Sequence, residues 1–562
     1  MKNLTVLITC IITFTFFGCN DNIELEKGKL ISPGLYSLNT GTSFYWCNPD
    51  NLDACIAASE KFMPSIIRFP GGLDANFYHM DGKGYGYRRP PEGDSDEPDP
   101  RRGSNDDETK RSGSTDELSK GSNESKTGSS DDDPSKSGDE DEDCIVMRDS
   151  YHMGNKKYPK FQDRRDKEYP KDENVIENVI QFCKKTNTKI LFTCNIVDAT
   201  YEENKKVLDR LISEGITISG VEIGSEMYLP RFKCIKYESV QKYIDTAKWY
   251  SIKLKSDFSG IKLAVIAAPP LVKAIPKAVL SYYKAWNEAL KKETFFDAYT
   301  VHHYAKEKSC NCEKDFSDTK TRDEAFECYN VLLQKELDYW FQEGIQYYVD
   351  MFPEKKMWLT EWNSHLSMHC YGNTQADNIY FARYQNELAS KHSDNIEFAT
   401  FHNWLGNGKH WPIIRPTKNG FEQRSSSPVF EMFKPIFSDR ETFSVTNPGV
   451  LTNALLDGVT SYIYYQPSAN SQKSKLIIML VNFSGEKQKI QFPTNSLLID
   501  GVSFDSKKGD FTSVYSESLA ASLGNAGFGK KVEPIQVKNG LLLSPYVIEK
   551  NSINMISIEA MQ

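Results

Sequence analysis

The chain lacks the basic helices and stripes that mark a nucleic-acid surface. Beyond its N-terminus it also lacks any apolar run long enough to cross a membrane. The formal charge of -9 does not describe the folded part, because residues 92–143 alone carry 19 acidic and 7 basic side chains and the remainder is near neutral. At 562 residues the chain is too long for one core, so we expect a large domain and at least one smaller one, with no nucleic-acid partner.

Residues 92–143 are also poor in large aliphatic side chains, with Leu118 the single exception. Ser, Gly, Asp, Glu, Lys and Pro make up most of this segment, and such a composition buries too little apolar surface to fold. We therefore predict a disordered acidic insertion. A solvated, tolerated insertion is favoured over a lid or a calcium-binding segment.

The apolar run near the N-terminus, Leu4 to Phe17, is too short to span a bilayer comfortably and indicates a removable signal. The small residue directly before Cys19 resembles the lipobox of bacterial lipoproteins, in which that cysteine is acylated and becomes the new N-terminus. This resemblance implies a signal peptide over residues 1–19, export to the bacterial cell envelope, and membrane contact only through a lipid anchor at Cys19. A plain secretory signal with an incidental cysteine is the alternative.

Ten cysteines remain after Cys10 and Cys19, and an even number in an exported chain favours some disulfides, whose pairing cannot be deduced. Cys310 and Cys312 with Cys328 fit no common zinc-finger spacing, so bridges in a loop are favoured over zinc. The adjacent histidines His302 and His303 have no matching cluster of ligands in the sequence. We therefore predict no metal and no cofactor.

Residues 34–438 alternate between strand-like and helix-like patterns. The strand-like runs are 35–44, 65–69, 189–196, 216–223, 262–268, 296–304, 357–361 and 396–404. Eight strands alternating with helices predict a (β/α)8 TIM barrel, whose catalytic groups lie at the carboxyl ends of the strands. From residue 439 to 562 the period changes to two, which predicts a C-terminal all-β sandwich domain. Residues 20–33 are interpreted as a polar tether.

Two glutamates follow strands of this predicted barrel. Glu226 comes after the fourth strand and Glu361 ends the seventh. A pair of carboxylates at strand ends suggests glycoside hydrolysis, in which one carboxyl acts as the acid and the other as nucleophile or base. Glu222 has the same strand parity as Glu226, so we expect it to point into the barrel as a structural, ion-paired carboxylate. A lone glutamate after a strand is more often a surface residue.

Three short segments carry a resemblance to a known clan: Arg68-Phe69-Pro70-Gly71-Gly72, Ala75-Asn76-Phe77-Tyr78 and Glu222-Ile223-Gly224-x-Glu226. Together with the trailing β domain they resemble the retaining (β/α)8 glycoside hydrolases, above all the α-L-arabinofuranosidase, heparanase-type and agarase-like members. The resemblance implies cleavage of a polysaccharide or oligosaccharide by double displacement, with Glu226 as acid/base and Glu361 as nucleophile. It identifies the clan better than the substrate.

The same resemblance assigns further roles. Arg68 would keep Glu361 ionised, Tyr304 or His303 would orient it, and Trp404 would form the floor under the sugar. Among the other rim side chains, Asn76 and Asn195 are candidate sugar contacts, although asparagines at a rim often only cap loops. Trp362 and Trp404 are candidates to stack on a sugar ring, and the alternative for either is simple packing at the rim.

Ser225 departs from the clan, which usually has an asparagine directly before the acid/base. That asparagine bonds the sugar 2-hydroxyl, and such contacts are worth several kcal/mol in the transition state. The shorter side chain of Ser225 would reach that hydroxyl only through water or not at all. Alternatively, the substrate is an unusual sugar, such as an anhydro, sulfated or differently oriented one. The alternatives are therefore a catalytically inactive barrel that serves as a surface glycan-binding lipoprotein, and an adhesive lipoprotein that acts through its acidic insertion.

Overall fold

A computed structural model describes residues 22–82, 85–86, 174–197, 199–229, 232, 236–270, 277–305, 319–364, 372–406, 412–437, 440–447, 458–469, 471–490, 492, 496–506, 508–521, 535–542 and 546–561. Cys19, the insertion 92–143, Cys310 and Cys312 lie outside these residues, so the predictions made for them stay predictions. Within the described ranges, no helix combines the length and the apolar character that a membrane span requires.

Eight parallel strands close into a barrel, in which each strand pairs with its neighbour along the chain. Two short strands precede it, β1 (Ile23–Glu24) and β2 (Lys27–Leu30). The barrel strands are β3 (Ser37–Asn39), β4 (Ile66–Phe69), β5 (Lys189–Cys194), β6 (Ile218–Ile223), β7 (Leu263–Ile266), β8 (Ala298–Tyr304), β9 (Lys356–Asn363) and β10 (Ile396–His402). Parallel pairing of β10 with β3 closes the ring.

Helices surround this ring and connect its strands. They are α1 (Ser43–Trp46), α2 (Leu52–Ser59), α3 (Ile176–Thr186), α4 (Tyr201–Ser213), α5 (Val240–Asp257), α6 (Lys277–Leu290), α7 (Thr319–Tyr339), α8 (Ile345–Met351), α9 (Gln375–Lys391) and α10 (Ser427–Phe433). A π-helical turn, Trp340–Gly344, joins α7 to α8. Helix α4 begins with a capping box, in which the side chains of Thr200 and Glu203 each bond the other residue's backbone N–H.

The remaining strands are β11 (Ile414–Thr417), β12 (Gly420–Gln423), β13 (Phe443–Val445), β14 (Val459–Gln466), β15 (Lys475–Asn482), β16 (Gln488–Ile490), β17 (Leu497–Ile499), β18 (Val502–Phe504), β19 (Asp510–Tyr515), β20 (Gln536–Leu541), β21 (Tyr546–Ile548) and β22 (Ser552–Glu559). Seven strands form the main sheet of the C-terminal domain, in the order β2-β13-β14-β15-β22-β19-β20. Its inner face packs against two smaller sheets around a separate apolar core. The predicted barrel followed by an all-β domain is confirmed.

The N-terminal segment corrects one expectation. Residues 20–33 were predicted to be a tether, yet β1 pairs with β17 and β2 pairs with β13. Leu25 is buried in the core of the β domain, and Ile31 is buried beside the barrel. The segment is therefore part of the fold, because its few apolar residues alternate with polar ones as they do in an edge strand.

Helix α9 lies between the barrel and the main sheet and is buried along almost its whole length. Its polar residues bond the β domain directly. Gln375 donates to the carbonyl of Asn551 at 2.7 Å, and the Tyr464 hydroxyl donates to Asn386 Oδ1 at 2.6 Å. These contacts fix the β domain against the barrel wall.

Cys47 and Cys55 form a disulfide bond. Cys183 and Cys194 are buried and unpaired, and burial raises the pKa of the Cys183 thiol to about 12. The expectation of some disulfides is met at one pair of the described cysteines.

The amino-terminal end of the barrel interior is filled by six side chains, one from each of six barrel strands: Ile66, Leu191, Ala264, Ala298, Trp358 and Phe398. Gly220 on β6 makes room for the largest of them, since a Cβ at Gly220 would lie 2.4 Å from the Trp358 ring. Close packing leaves no space for the ring to retreat.

Gly220→Ala should therefore lower the free energy of unfolding by about 1–3 kcal/mol through overpacking. Denaturant unfolding measures this change. The control is Gly485→Ala, where a Cβ would meet nothing within 4 Å and stability should change by less than about 0.5 kcal/mol. Equal stability of the two variants would contradict the packing described for the barrel interior.

Candidate active site

The two candidate carboxylates meet at the carboxyl end of the barrel. Glu361 lies within β9, and Glu226 lies three residues beyond the end of β6. Glu226 has a φ angle of 53°, in the left-handed region that residues other than glycine uncommonly adopt. Its carbonyl accepts a hydrogen bond from the N–H of Leu229 at 2.9 Å, so this backbone turn is stabilised locally. The turn directs the Glu226 side chain toward the barrel axis.

His302 on β8 lies between the two glutamates. Its Nδ1 is 3.0 Å from Glu226 Oε1 and 3.6 Å from Glu361 Oε2, and the three atoms lie within 4.8 Å of one another. Retaining glycosidases have carboxyl groups about 5–5.5 Å apart, whereas inverting enzymes need about 6.5–9.5 Å to admit water. The spacing therefore suits direct attack by one glutamate on a sugar carbon.

Arg68 on β4 is fully buried and holds the base of the site together. Its Nε and Nη2 donate to the two oxygens of Glu222 at 2.6 and 3.1 Å, and its Nη1 donates to Glu361 Oε1 at 2.7 Å. A buried guanidinium needs such partners, because an unpaired charge in a dry interior is costly. Glu222 thus has the structural, ion-paired position that its strand parity predicts.

Glu361 is placed to be a carboxylate rather than an acid. Burial alone would raise its pKa, but the nearby charges of His302, His402 and Arg68, together with the hydrogen bond from Tyr304, hold the pKa of Glu361 far below its usual value. The Tyr304 hydroxyl donates to Glu361 Oε2 at 2.6 Å. Both oxygens of Glu361 therefore have a donor.

His302 was not among the predicted sugar contacts, yet it touches both glutamates. Its Nε2 lies 3.2 Å from Thr360 Oγ1, which fixes the plane of the ring. Burial lowers the pKa of His302, but Glu361 and Glu226 outweigh burial and raise it. Strand parity could have identified this residue, because Ala298 faces the barrel interior and residues 300, 302 and 304 follow at a period of two.

The expectation that His303 orients the nucleophile is wrong, because the period of two on β8 places residue 303 on the outer face of the strand. His303 points outward, where its ring stacks on Trp340 at 4.0 Å and its Nδ1 lies 3.1 Å from the Tyr384 hydroxyl. Tyr304, the other residue proposed for this role, does contact Glu361.

The expectation that Trp362 contacts sugar is also wrong. Its ring is fully buried and stacks on Tyr384 at 4.4 Å in the helical layer. The pairing of β9 with β8 shifts by one residue between Leu359 and Glu361. This bulge turns both Thr360 and Glu361 inward and Trp362 outward, which a simple alternation from Trp358 does not predict.

Trp404 does not form a floor under the site. The strand β10 ends at His402, and Trp404 is buried against Phe182, with its Nε1 donating to Ser59 Oγ at 2.9 Å. His402 has the inward position instead, with its ring 6.2 Å from that of Tyr304. Burial lowers the pKa of His402, while the nearby charge of Glu361 opposes that shift.

The side chains of the two predicted asparagines bond backbone groups of neighbouring loops. Asn76 donates to the carbonyl of Ser225 at 2.7 Å and accepts from its N–H at 2.9 Å, which fixes the residue before Glu226. Asn195 is buried, donates to the carbonyl of Tyr78 at 3.2 Å and accepts from the N–H of Val197. Their side chains position loops, so the expectation of direct sugar contacts does not fit their geometry.

Ser225 lies beneath the site. It is fully buried, and its Oγ accepts from Arg68 Nη2 at 3.3 Å. The hydroxyl is therefore directed at the guanidinium.

Two clusters in the described part of the chain have ligand atoms close enough for a metal ion. They are the group of Glu226, His302 and Glu361, and a second group of His79, Asp81 and Glu203. The first is accounted for by the hydrogen bonds given above. The prediction that no metal takes part stays a prediction.

No family model and no curated protein matches the chain in sequence. Solved structures do match. The α-L-arabinofuranosidase from Thermotoga maritima, in complex with arabinose, shares 15% identity over 96% of this chain and 99% of its own, with a TM-score of 0.55. The family 51 α-L-arabinofuranosidase from Thermotoga petrophila RKU-1 shares 15% identity over 96% of this chain and 100% of its own, with a TM-score of 0.56. The family 51 arabinofuranosidase from Xanthomonas axonopodis pv. citri shares 13% identity over the same fractions, also with a TM-score of 0.56.

The chain has the fold of these arabinofuranosidases. At this level of identity the likeness concerns the fold alone, and it extends over both the barrel and the C-terminal β domain. The resemblance inferred from short sequence segments is confirmed at that level.

The triad of Glu222, Arg68 and Glu361 makes a prediction about stability. Glu222→Gln should lower the free energy of unfolding by about 3 kcal/mol, because it leaves the buried guanidinium with a single carboxylate. Denaturant unfolding at neutral pH measures the loss. The control is Glu238→Gln, which breaks an exposed pair with Lys242 of 3.0 Å and should change stability by less than about 1 kcal/mol. A loss no larger than that of the control would contradict the triad.

His302 provides a second prediction. Glu361→Gln removes the negative charge that contributes most to raising the pKa of His302, so this pKa should fall. Long-range ¹H–¹⁵N correlation spectra of histidine-labelled protein, recorded across a pH titration, follow each ring. His392 is the internal control: burial lowers its pKa to about 4, and its neighbours do not include Glu361. An unchanged or higher pKa of His302 would disprove the arrangement.

Proposed function

We propose that this protein is a retaining glycoside hydrolase that cleaves a polysaccharide or its oligosaccharides. The observation that carries the proposal is the pair of glutamates whose oxygens lie within 4.8 Å of each other at the mouth of the barrel. Arg68 and Tyr304 contact only one of them, Glu361. The site therefore offers one carboxylate held in its charged form and a second carboxyl beside it, which is the pairing that double displacement requires.

In the first step, a Glu361 oxygen attacks the anomeric carbon of the sugar. The bond from this carbon to the glycosidic oxygen breaks, and the leaving oxygen takes the proton of Glu226. The product is an ester between Glu361 and the sugar. Arg68 and Tyr304 hold the attacking carboxylate in place through its two oxygens.

In the second step, Glu226 takes a proton from water, and the water oxygen attacks the anomeric carbon. The ester bond breaks and Glu361 leaves as a carboxylate, so the sugar is released with its original anomeric configuration. His302 Nδ1 lies 3.0 Å from Glu226 Oε1 and 3.6 Å from Glu361 Oε2, so its ring is placed to bond either glutamate.

A barrel that binds glycan without cleaving it is the second candidate. Ser225 favours it, because its hydroxyl bonds Arg68 and supplies no amide to a sugar hydroxyl. A sugar that is anhydro, sulfated or differently oriented at that position would remove the need for the amide. The solved structures with this fold make α-L-arabinofuranosides the first substrates to test. Export and a lipid anchor at Cys19 remain part of this proposal.

Azide distinguishes the two glutamates. On a panel of 4-nitrophenyl glycosides that begins with the α-L-arabinofuranoside, Glu361→Ala should lower kcat by about 10⁵-fold and Glu226→Ala by about 10²–10⁴-fold. Azide should restore turnover in both. It replaces the nucleophile in Glu361→Ala and yields an azide of inverted configuration, whereas in Glu226→Ala it attacks the glycosyl-enzyme and yields the retained one.

The control variant is Glu238→Ala, at an exposed glutamate before α5, which should keep the activity of the parent. NMR of the glycosyl azides assigns their configuration. Activity that survives Glu361→Ala, or identical azide products from both variants, would refute the mechanism. Glycan binding without cleavage by the parent would favour the second candidate.

A further inference from the structure

A cavity of about 680 Å³ opens at the same end of the barrel as the candidate active site, outside the ring of strands. It lies between the segment that leads from β5 into α4 and the middle of α5. Its lining includes Ala199, Tyr201, Glu202, Lys236, Asp245 and Trp249. Nothing in the proposed mechanism uses these residues.

Trp249 is the conspicuous member of this lining. It is 46% exposed, which is unusual for so large an apolar side chain, and it meets Tyr201 and Tyr250 edge-on at 5.6 and 5.3 Å. These contacts hold the indole in one orientation while leaving much of it open to solvent. A fixed, exposed aromatic face beside a cavity is a surface on which the C–H face of a sugar ring can pack.

The cavity walls are held in place by hydrogen bonds to the loop after β5. The Tyr250 hydroxyl donates to the carbonyl of Ala199 at 3.3 Å, and Lys236 Nζ donates to the carbonyl of Val197 at 2.9 Å. A preformed site loses little conformational freedom when a ligand binds.

Three charged side chains line the cavity, the acidic Glu202 and Asp245 and the basic Lys236. Lys253 does not line it, but its Nζ lies 5.7 Å from the centre of the Trp249 ring. Two carboxylates against one ammonium group disfavour an anionic ligand, whereas an uncharged ligand rich in hydroxyl groups can donate hydrogen bonds to the carboxylates.

We propose that this cavity binds an uncharged sugar unit of a polysaccharide, with the sugar ring packed on Trp249 and its hydroxyls bonded by Glu202 and Asp245. The inference rests on the proposed function for the identity of the ligand. Lys236 belongs to the same connection between β6 and α5 that begins with the turn at Glu226. A chain bound here is therefore held beside the loop that carries the acid/base, and the cavity acts as an accessory glycan site.

Affinity gel electrophoresis tests the proposal on the full chain with Glu361→Gln, which prevents degradation of the matrix. The gels contain arabinan, arabinoxylan, agarose or laminarin as neutral probes and heparin as an anionic one. The retardation of the protein in each gel gives its dissociation constant for the probe. For at least one neutral probe, this constant should rise about fivefold when Trp249→Ala is added to the Glu361→Gln protein. Trp249→Phe keeps an aromatic face and should restore most of the binding.

Ile252→Ala is the matched control, since Ile252 lies on the same helix, is 64% exposed and does not line the cavity. It should bind as the parent does, and equal thermal midpoints show that all variants fold. The inference is overturned if Trp249→Ala binds as tightly as Ile252→Ala, if no neutral probe retards the parent, or if only heparin binding depends on Trp249. Failure of the proposed hydrolase would instead appear as absence of glycoside cleavage, which this binding measurement does not use.

Discussion

The site depends on one buried ion pair network, in which the guanidinium of Arg68 joins Glu222 to Glu361 across three barrel strands. Removing these charges from water is expensive, and the cost is offset only while every donor of the guanidinium faces a carboxylate or a hydroxyl. The network therefore constrains geometry, because it ties β4, β6 and β9 together at the end of the barrel where the candidate active site lies. Together with His302, His402 and Tyr304, Arg68 holds the pKa of Glu361 far below its usual value against the opposing effect of burial.

The sequence was sufficient for those features of the site that follow from strand position and residue type. Glu226, Glu361 and Arg68 meet as predicted, because parallel strands of a barrel bring their carboxyl ends to one rim. It was insufficient where the backbone departs from simple alternation. The bulge in β9 turns Trp362 outward, and the end of β10 at His402 buries Trp404, and neither departure has a local sequence signal. The bulge in β9 and the end of β10 are both determined by pairing with strands that are distant in the sequence.

The overall fold was predicted for a related reason. Strands buried on both faces read as short continuous apolar runs, and amphipathic helices have a clear period of 3.6 residues, so their alternation along the chain predicted the barrel strand by strand. Weak, short edge strands such as β1 and β2 carry almost none, and their place in the β domain depends on partners more than 400 residues away. The near-complete burial of α9 is equally non-local, because the main sheet covers a helix face that a barrel alone would expose to water.

Ser225, directly before the proposed acid/base Glu226, relates the candidate site to the rest of the surface. Because the Ser225 hydroxyl bonds Arg68, recognition of a sugar hydroxyl at this point must come from elsewhere or be absent. An enzyme can offset weak local contacts with binding energy from parts of the substrate remote from the reacting bond, provided that this energy is realised in the transition state. Lys236 lines the cavity beside Trp249 and belongs to the connection that starts at Glu226, so the accessory glycan site proposed there would supply binding energy of this remote kind. In that arrangement His302 and His402 would orient the sugar at the candidate active site. The aromatic surface of Trp249, outside the barrel, would add affinity for the rest of the glycan.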